Sequence, residues 1–343
     1  MTDRLTGSPA AAGAALLHER FPRTRGTLPR LPICDLPTPV RQAPALGDDV
    51  WVKDDALSAE PWGGNKPRKL EWILAAAGEK RCGTILTFGG LGTNHGLATA
   101  LYARREGIDC VLALVDQPRD ERVERQLARL ERAATRVYLT RTARRTALAV
   151  PYIALRHAQL SPPRMPYWLP PGGSSPLGTV GFVEASLELA AQVEAGELPE
   201  PRAVVVALGS GGSAAGLAAG LALAGLRTEV HAVLVNDQLK LTERTVTRLA
   251  RRTLNLLAGR GVDVWVEPRP VRVVEGFMGA GYGHATPAAR EAQRLAAEAE
   301  GLALEPVYTG KVLAALLAGV AGEGLVLFWN SNNGHDTDAS PVG

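Results

Sequence analysis

The stretch "EPWGGNKPRKLEWI", Glu60 to Ile73, sets a lysine at a sharp turn into an apolar rhythm. Leu70, Ile73, Leu74 and Ala77 fall at i, i+3, i+4 and i+7, the spacing of one buried helix face. Pro67 suits the first helical position, where its missing N–H costs nothing. Lys66 therefore stands at a loop-to-helix entrance, where the positive end of the helix dipole disfavours a cation. A lysine in that place is expected to act as an amine rather than remain a solvated ammonium.

A second stretch, "VVVALGSGGSAAGLAAG", puts Gly209, Ser210, Gly211, Gly212 and Ser213 between a strand and a helix. Glycines let backbone N–H groups approach an anion, the helix N-terminus adds favourable charge, and the two serine hydroxyls can donate. The loop lacks the Gly-Lys-Ser/Thr ending of a nucleotide P-loop. It meets a dinucleotide fingerprint only in relaxed form, as Gly209, Gly211 and Ala214, and the next strand ends on Asn236 before Asp237 instead of an acidic ribose ligand. A plain tight turn is the bland alternative. The phosphate of another small cofactor is the better fit, and Lys66 supplies the other half. An amine at one end and a phosphate cup at the other point to pyridoxal 5′-phosphate.

The elements that must position these residues alternate from Thr84 onward. "TILTF", "CVLALV" and "RVYL" read as strands separated by helices beginning near "HGLATALYARRE", Arg119 and "TALAVPYIALRHA". "SPPRMPYWLPPGGSSPLG" is the clearest punctuation and marks a domain crossing. Beyond it follow a helix in "LGTVGFVEASLELAAQV", the strand "AVVVAL", a helix after the glycine loop, the strand "EVHAVLV", a helix from Thr242 to Gly259, a short strand "VDVWV", a helix from Pro287 to Glu300 and the strand "LVLFW". Strands alternating with helices imply parallel sheets with right-handed crossovers. The expected architecture is α/β, two units meeting at a cleft.

A chain of 343 residues can bury a substantial core. Its 38 basic and 35 acidic residues leave +3, too small and dispersed a charge for a nucleic-acid partner. Arg141, Arg144 and Arg145 read as a solvated helix edge. Three cysteines, Cys34, Cys82 and Cys110, without CxxC or close spacing, suit a reducing, cytoplasmic setting and read as small packed hydrophobes. The histidines show no metal-ligand spacing, and no apolar run is long enough to span a bilayer.

"GGNKPRKLE", "GTNHGLATA", "GSGGS" and "EPVYTGK" together resemble the D-cysteine desulfhydrase / 1-aminocyclopropane-1-carboxylate deaminase family, over about Leu36 to Trp329. The resemblance implies a tryptophan synthase β-like fold of the fold-type II pyridoxal-phosphate class: two open twisted, mostly parallel sheets covered by helices, with the cofactor between the domains. It implies a large domain of residues 1–69 and 172–343, a small domain of residues 70–171, a loosely ordered leader over residues 1–28, and a homodimer acting on a small amino acid. Lys66 matches the imine-forming lysine and Lys69 a second lysine near the phosphate. Asn94 matches the partner of the ring 3′-oxygen. Thr93 stands where a serine serves the substrate carboxylate and the proton path. His95, Tyr282 and Tyr308 match residues facing the substrate, and Thr309 the partner of the ring nitrogen.

The neutral hydroxyl of Thr309 does not favour ring-nitrogen protonation as a carboxylate would. That points to loss of an α-proton and a β-leaving group, giving a keto acid and ammonia, rather than to ring opening. Two departures from the family pattern bear on the substrate: Leu97-Ala98 replaces an Arg-Gln pair, and "NSNNG", Asn330 to Gly334, replaces a His-Thr-Gly-Gly-like turn. β-Replacement, racemisation or ring opening on the same scaffold, and a non-catalytic amino-acid-binding relative, remain as alternatives.

Overall fold

The computed structural model describes residues 15–160 and 162–334. Its helices are α1 (Leu16–Arg20), α2 (Asn65–Glu79), α3 (Asn94–Arg105), α4 (Glu121–Ala133), α5 (Ala143–Arg156), α6 (Pro176–Glu194), α7 (Gly212–Ala224), α8 (Glu243–Ala258), α9 (Pro287–Glu300) and α10 (Thr309–Leu317). The strands are β1 (Val40–Gln42), β2 (Val50–Asp54), β3 (Thr84–Gly90), β4 (Asp109–Val115), β5 (Arg136–Arg141), β6 (Gln159–Leu160), β7 (Pro163–Arg164), β8 (Tyr167–Leu169), β9 (Ala203–Leu208), β10 (Glu229–Leu234), β11 (Val271–Val274) and β12 (Val326–Asn330).

Two sheets carry the fold. The larger runs β1-β2-β12-β9-β10-β11, parallel except for the β1–β2 pair at its edge. The smaller runs β5-β4-β3-β8, parallel throughout. Its strands lie within residues 84–169, while those of the larger sheet lie within residues 40–54 and 203–330. The run "AVVVAL" of β9 is continuously apolar because helices cover both faces of a parallel sheet. In the smaller unit α2, α3 and α4 pack on one face against Ile85, Leu112 and Leu114. On the other face α5 meets Leu86, Phe88, Val111 and Ala113.

Helix α2 bridges the two cores. Leu70, Ile73, Leu74 and Ala77 are buried in the smaller core, as their spacing predicts, while Trp72 joins the larger one. Full burial of each Leu or Ile contributes about 1.5–3 kcal/mol. A domain boundary between residues 69 and 70 thus falls inside one continuous helix. The helix also begins at Asn65, so Pro67 is its third residue and not its first. The missing N–H still belongs to the first turn, whose amides have no intrahelical partner.

Two further expectations differ from the structure. Residues 15–28, assigned to a loosely ordered leader, are packed: Leu17 and Leu28 are buried, and the N–H groups of Leu16 and Leu17 donate to Glu184 at 2.6 and 3.0 Å. Residues 1–14 of that leader lie outside the described residues. "VDVWV" forms no strand, and Val264 and Trp265 are exposed. The sheet edge is taken instead by β11, whose Val271–Val274 pair in register with Val230–Val233 of β10. An exposed apolar run needs a partner strand to count as one, and here the later segment has it.

Candidate active site

A cavity of about 450 Å³ opens at the C-terminal ends of the central strands, where several helix N-termini converge. Such crevices are where open α/β sheets bind ligands. Lys66 lines it from the first turn of α2. Thr93, Asn94 and His95 line it from the start of α3, Gly209, Ser210, Gly211 and Ser213 from the β9–α7 turn, and Tyr282, Tyr308 and Thr309 from the segments around α10. Of the residues expected to bind cofactor or substrate or to act in catalysis, Lys69 and Gly212 are not on the lining. They meet just behind the glycine loop.

Lys66 is half-buried, and the desolvation lowers its pKa to about 8 although the Glu305 carboxylate works in the opposite sense. Its Nζ donates to Asn65 Oδ1 at 2.6 Å, and Asn65 Nδ2 donates to Ser213 Oγ at 3.1 Å, tying the lysine to the glycine loop. The turn that presents it needs Gly64, whose φ is +82° and where an added Cβ would come within 2.6 Å of the Asn332 carbonyl.

The face of α2 behind Lys66 is held by a buried ionic cluster. Arg68 donates to Asp55 at 2.8 and 3.0 Å and to Glu188 at 2.9 Å. Lys53 also pairs with Glu188, and Trp329 Nε1 donates to Asp55 at 2.8 Å. Two cations and two carboxylates balance, so the charge buried next to the lysine turn is compensated.

Lys69 is different. Burial first, and Lys66 second, push its pKa well down. Its Nζ donates to the Gly172 carbonyl at 3.2 Å, and no carboxylate pairs with it among the described residues. An added Cβ on Gly212 would lie 2.8 Å from that Nζ and 2.6 Å from Ser174 Oγ. The loop is therefore a cradle that glycine keeps open beneath a buried lysine amine, whose charged form needs an anion beside it. Ser174 Oγ accepts from Gly212 N–H at 3.0 Å and bonds Ser210 Oγ at 2.8 Å.

At the start of α3, Thr93 caps the helix by accepting from Gly96 N–H at 3.2 Å. Gln126 donates to Asn94 Oδ1 at 2.9 Å, which leaves the Asn94 amide nitrogen as a donor for a ligand oxygen. Thr87 donates to the Leu169 carbonyl at 2.9 Å, so His95 Nε2–H is the donor across its 3.1 Å contact with Thr87. Burial, then Lys66 and Lys69, push the His95 pKa well down. The ring is neutral, with Nδ1 its acceptor.

On the opposite wall the hydroxyls of Tyr282 and Tyr308 share a hydrogen bond of 2.6 Å. Glu305 accepts the N–H groups of Val307, Tyr308 and Thr309 at 2.7 to 2.8 Å, closing the N-terminus of α10. Thr309 Oγ1 in turn accepts from the Glu305 N–H at 3.1 Å. The altered C-terminal turn also reaches the cavity through Ser331, Asn332 and Asn333. Asn332 Nδ2 donates to the Ala303 carbonyl at 3.0 Å, while its buried Oδ1 has no hydrogen-bond partner.

Ser174, Asn65 and Glu305 were missed as site residues. Glu305 lies inside "EPVYTGK" and Ser174 inside the "PPGGSSPLG" punctuation, so both carried a signal, but neither is marked by spacing as a cavity group. Leu97-Ala98 is buried in the smaller core instead of reaching the cavity.

These groups fit a phosphate-bearing aldehyde: at one end a cradle with a buried lysine that an anion would charge, and at the other a half-buried lysine whose amine is partly free near neutral pH. The chain matches the family model described as pyridoxal-phosphate dependent enzyme over residues 34–331. It is 34% identical to the D-cysteine desulfhydrase of Salmonella paratyphi B over 303 residues, covering 85% of this chain and 89% of the relative. The crystal structure of an ACC deaminase homologue superposes with a TM-score of 0.78 at 28% identity, covering 94% of this chain and 96% of that one. Maize serine racemase shares the fold, with a TM-score of 0.58 at 16% identity over 88% of this chain and 90% of that one. The chain belongs to the pyridoxal-phosphate dependent enzymes, in the branch of D-cysteine desulfhydrase and ACC deaminase.

Proposed function

We propose that the protein is a lyase that removes ammonia from a small β-substituted amino acid, in the manner named for its D-cysteine desulfhydrase relatives. The observation that carries this reading is the convergence on one cavity of a half-buried lysine with its pKa lowered to about 8, a glycine-loop cradle and the Thr309 hydroxyl, which the resemblance sets against the ring nitrogen. When bound, pyridoxal phosphate supplies an aldehyde that captures amines and a ring that draws electron density from the α-carbon.

The chain's own residues supply the rest. Gly209–Ser213 and Ser174 present N–H and hydroxyl donors to the phosphate, and Lys69 gives it a counter-charge. Asn94 Nδ2 would donate to the ring 3′-oxygen of a bound cofactor, and Thr309 would offer its ring nitrogen a neutral group. Lys66, as the free amine, takes the α-proton, since desolvation leaves about a tenth of it unprotonated at pH 7, far more than an ordinary lysine. Thr93 and the first amides of α3 receive the substrate carboxylate, and His95 lines the cavity beside them as a neutral ring. Tyr282 and Tyr308, joined through their hydroxyls, hold or pass a proton opposite Lys66.

A larger unit of residues 1–69 and 172–343 and a smaller one of residues 70–171 then close on the ligand, with α2 shared between them. The chain works as a cytoplasmic homodimer in this reading, supported by the resemblance and by three unpaired cysteines. Light scattering would check the subunit number.

The deciding experiment follows products from D-cysteine, L-cysteine, β-chloro-D-alanine and 1-aminocyclopropane-1-carboxylate. Pyruvate and ammonia in equal amounts from a β-substituted substrate are expected. A new amino acid, exchange of the α-proton alone, or keto acid from the cyclopropane substrate only would replace this reading by replacement, racemisation or ring opening.

A further inference from the structure

The cavity is larger and more apolar at its mouth than a sulfhydryl needs. Ala143, Ala147 and Val150 of α5, at i, i+4 and i+7, line it on one side. Phe88 and Trp168, with ring centroids 4.6 Å apart, and Val115 continue the wall. Phe88 is buried whereas Trp168 is 53% exposed, so the wall runs from the interior out to water. The two alanines keep it open.

Nothing on this wall receives charge. Thr146, the hydroxyl within the stripe, donates to the Thr142 carbonyl at 3.0 Å and bonds Thr140 at 2.7 Å. Arg144 and Arg145 are exposed and are not part of the lining. The charged lining groups, Lys66 and Glu305, belong to the opposite, reacting end. At the buried end of the wall, beside Phe88, a second carboxylate or an ammonium on the substrate side chain would lie unpaired against hydrocarbon, which is costly.

Resting on the elimination reading above, we propose that the natural substrate is a cysteine thioether with an apolar sulfur substituent, the departing thiol lying along the Phe88–Val150–Trp168 wall. The balance is R–S–CH2–CH(NH3+)–COO− plus water giving R–SH, pyruvate and ammonium. The α-proton goes to Lys66, the Cβ–S bond breaks with its electron pair leaving on sulfur, and the thiolate is protonated. Water hydrolyses the amine-bearing product, so no oxidant or reductant is needed.

The test compares both enantiomers of S-benzylcysteine, cysteine and β-chloroalanine with the holoenzyme, reading pyruvate, released thiol and the change of the visible cofactor band on binding. The S-benzyl compound of one enantiomer is expected to exceed the matching cysteine in kcat/KM by about tenfold or more, the scale on which apolar pockets discriminate. Ala147→Phe, which fills the channel, and Val150→Asn, which makes it polar without added bulk, are each expected to lower that preference about tenfold. Two variants of opposite character keep the comparison decisive if one folds poorly. Pyruvate from cysteine or β-chloroalanine with none from S-benzylcysteine overturns the proposal and leaves elimination standing, as does a preference unmoved by either variant. No pyruvate from any compound overturns the elimination reading and this proposal with it.

Discussion

Tyr282 and Tyr308 approach from different segments of the chain and meet hydroxyl to hydroxyl at 2.6 Å, their rings at 77°. Burial raises the pKa of both, and the bond between them lowers that of Tyr282 while adding to the rise at Tyr308. The bond therefore favours ionisation at Tyr282, whose phenolate would accept from the Tyr308 hydroxyl. Tyr308→Phe is expected to push the Tyr282 phenol higher, read by ultraviolet difference titration. It should also lower turnover by about 10²–10⁴-fold, the usual range for a lost acid–base group. An unchanged titration would remove the pair from the proton path.

Lys66 titrates at about 8 because burial disfavours its ammonium, with Glu305 opposing. Only the free amine attacks an aldehyde, so capture of pyridoxal phosphate by the cofactor-free protein should speed up as pH rises through about 8 and level off above it. Glu305→Gln removes the opposing charge and should move that midpoint downward. Borohydride treatment of the holoenzyme should fix the cofactor on the Lys66 peptide, and Lys66→Ala should abolish both fixation and turnover. A midpoint near the ordinary lysine value would contradict the buried geometry.

Glu188 lies between Arg68 and Lys53. Burial alone would raise its carboxyl, but the two cations outweigh this and hold it at about 2, below the ordinary 4.5. A depressed acid stabilises the fold fully above about 4.5, and that contribution is lost as pH falls through about 2. Glu188→Gln should cost about 3–5 kcal/mol at neutral pH, because it strands buried cations. The variant should also lose much of the acid dependence of its urea midpoint. An equally steep acid limb in the variant would place the titrating group elsewhere.

Thr93 combines a helix cap with a place at the cavity. Thr93→Ala removes the acceptor for Gly96 N–H and should cost about 1 kcal/mol in thermal unfolding. Thr93→Ser keeps the cap, and an added Cβ on Gly96 would lie 2.6 Å from the γ-methyl that serine lacks. The serine variant should therefore match the parent in stability while shifting KM. A loss of stability equal to that of the alanine variant would mean that the methyl packing, and not the cap, is what matters.

Much of the site was legible because its parts are contiguous. Lys66 announces itself by its turn into a helix, and Gly209–Ser213 by a glycine run between strand and helix; each is decided within a few residues by backbone geometry. Helix α2 was readable from Leu70, Ile73, Leu74 and Ala77, yet its start was not, since Pro67 is tolerated anywhere in the first turn. The segment "VDVWV" shows the limit for strands: Val262 packs into the core while Val264 and Trp265 are exposed, and β11 instead takes the pairing with Val230–Val233.

The sequence by itself determined the fold class and pointed to the lysine and the glycine loop through local spacing and side-chain chemistry, whereas Thr309 was marked only by the family resemblance. Only the tertiary structure decided that Glu305 closes α10 beside Thr309, that Ser174 completes the loop, that Lys69 lies without a carboxylate partner, and that α5 lends the cavity an apolar mouth. Such relations depend on through-space neighbours more than 30 residues apart in several cases, as with Ser174 and Gly212. A hydrogen bond or a buried charge is decided by what lies opposite it, and the chain order alone does not say what that is.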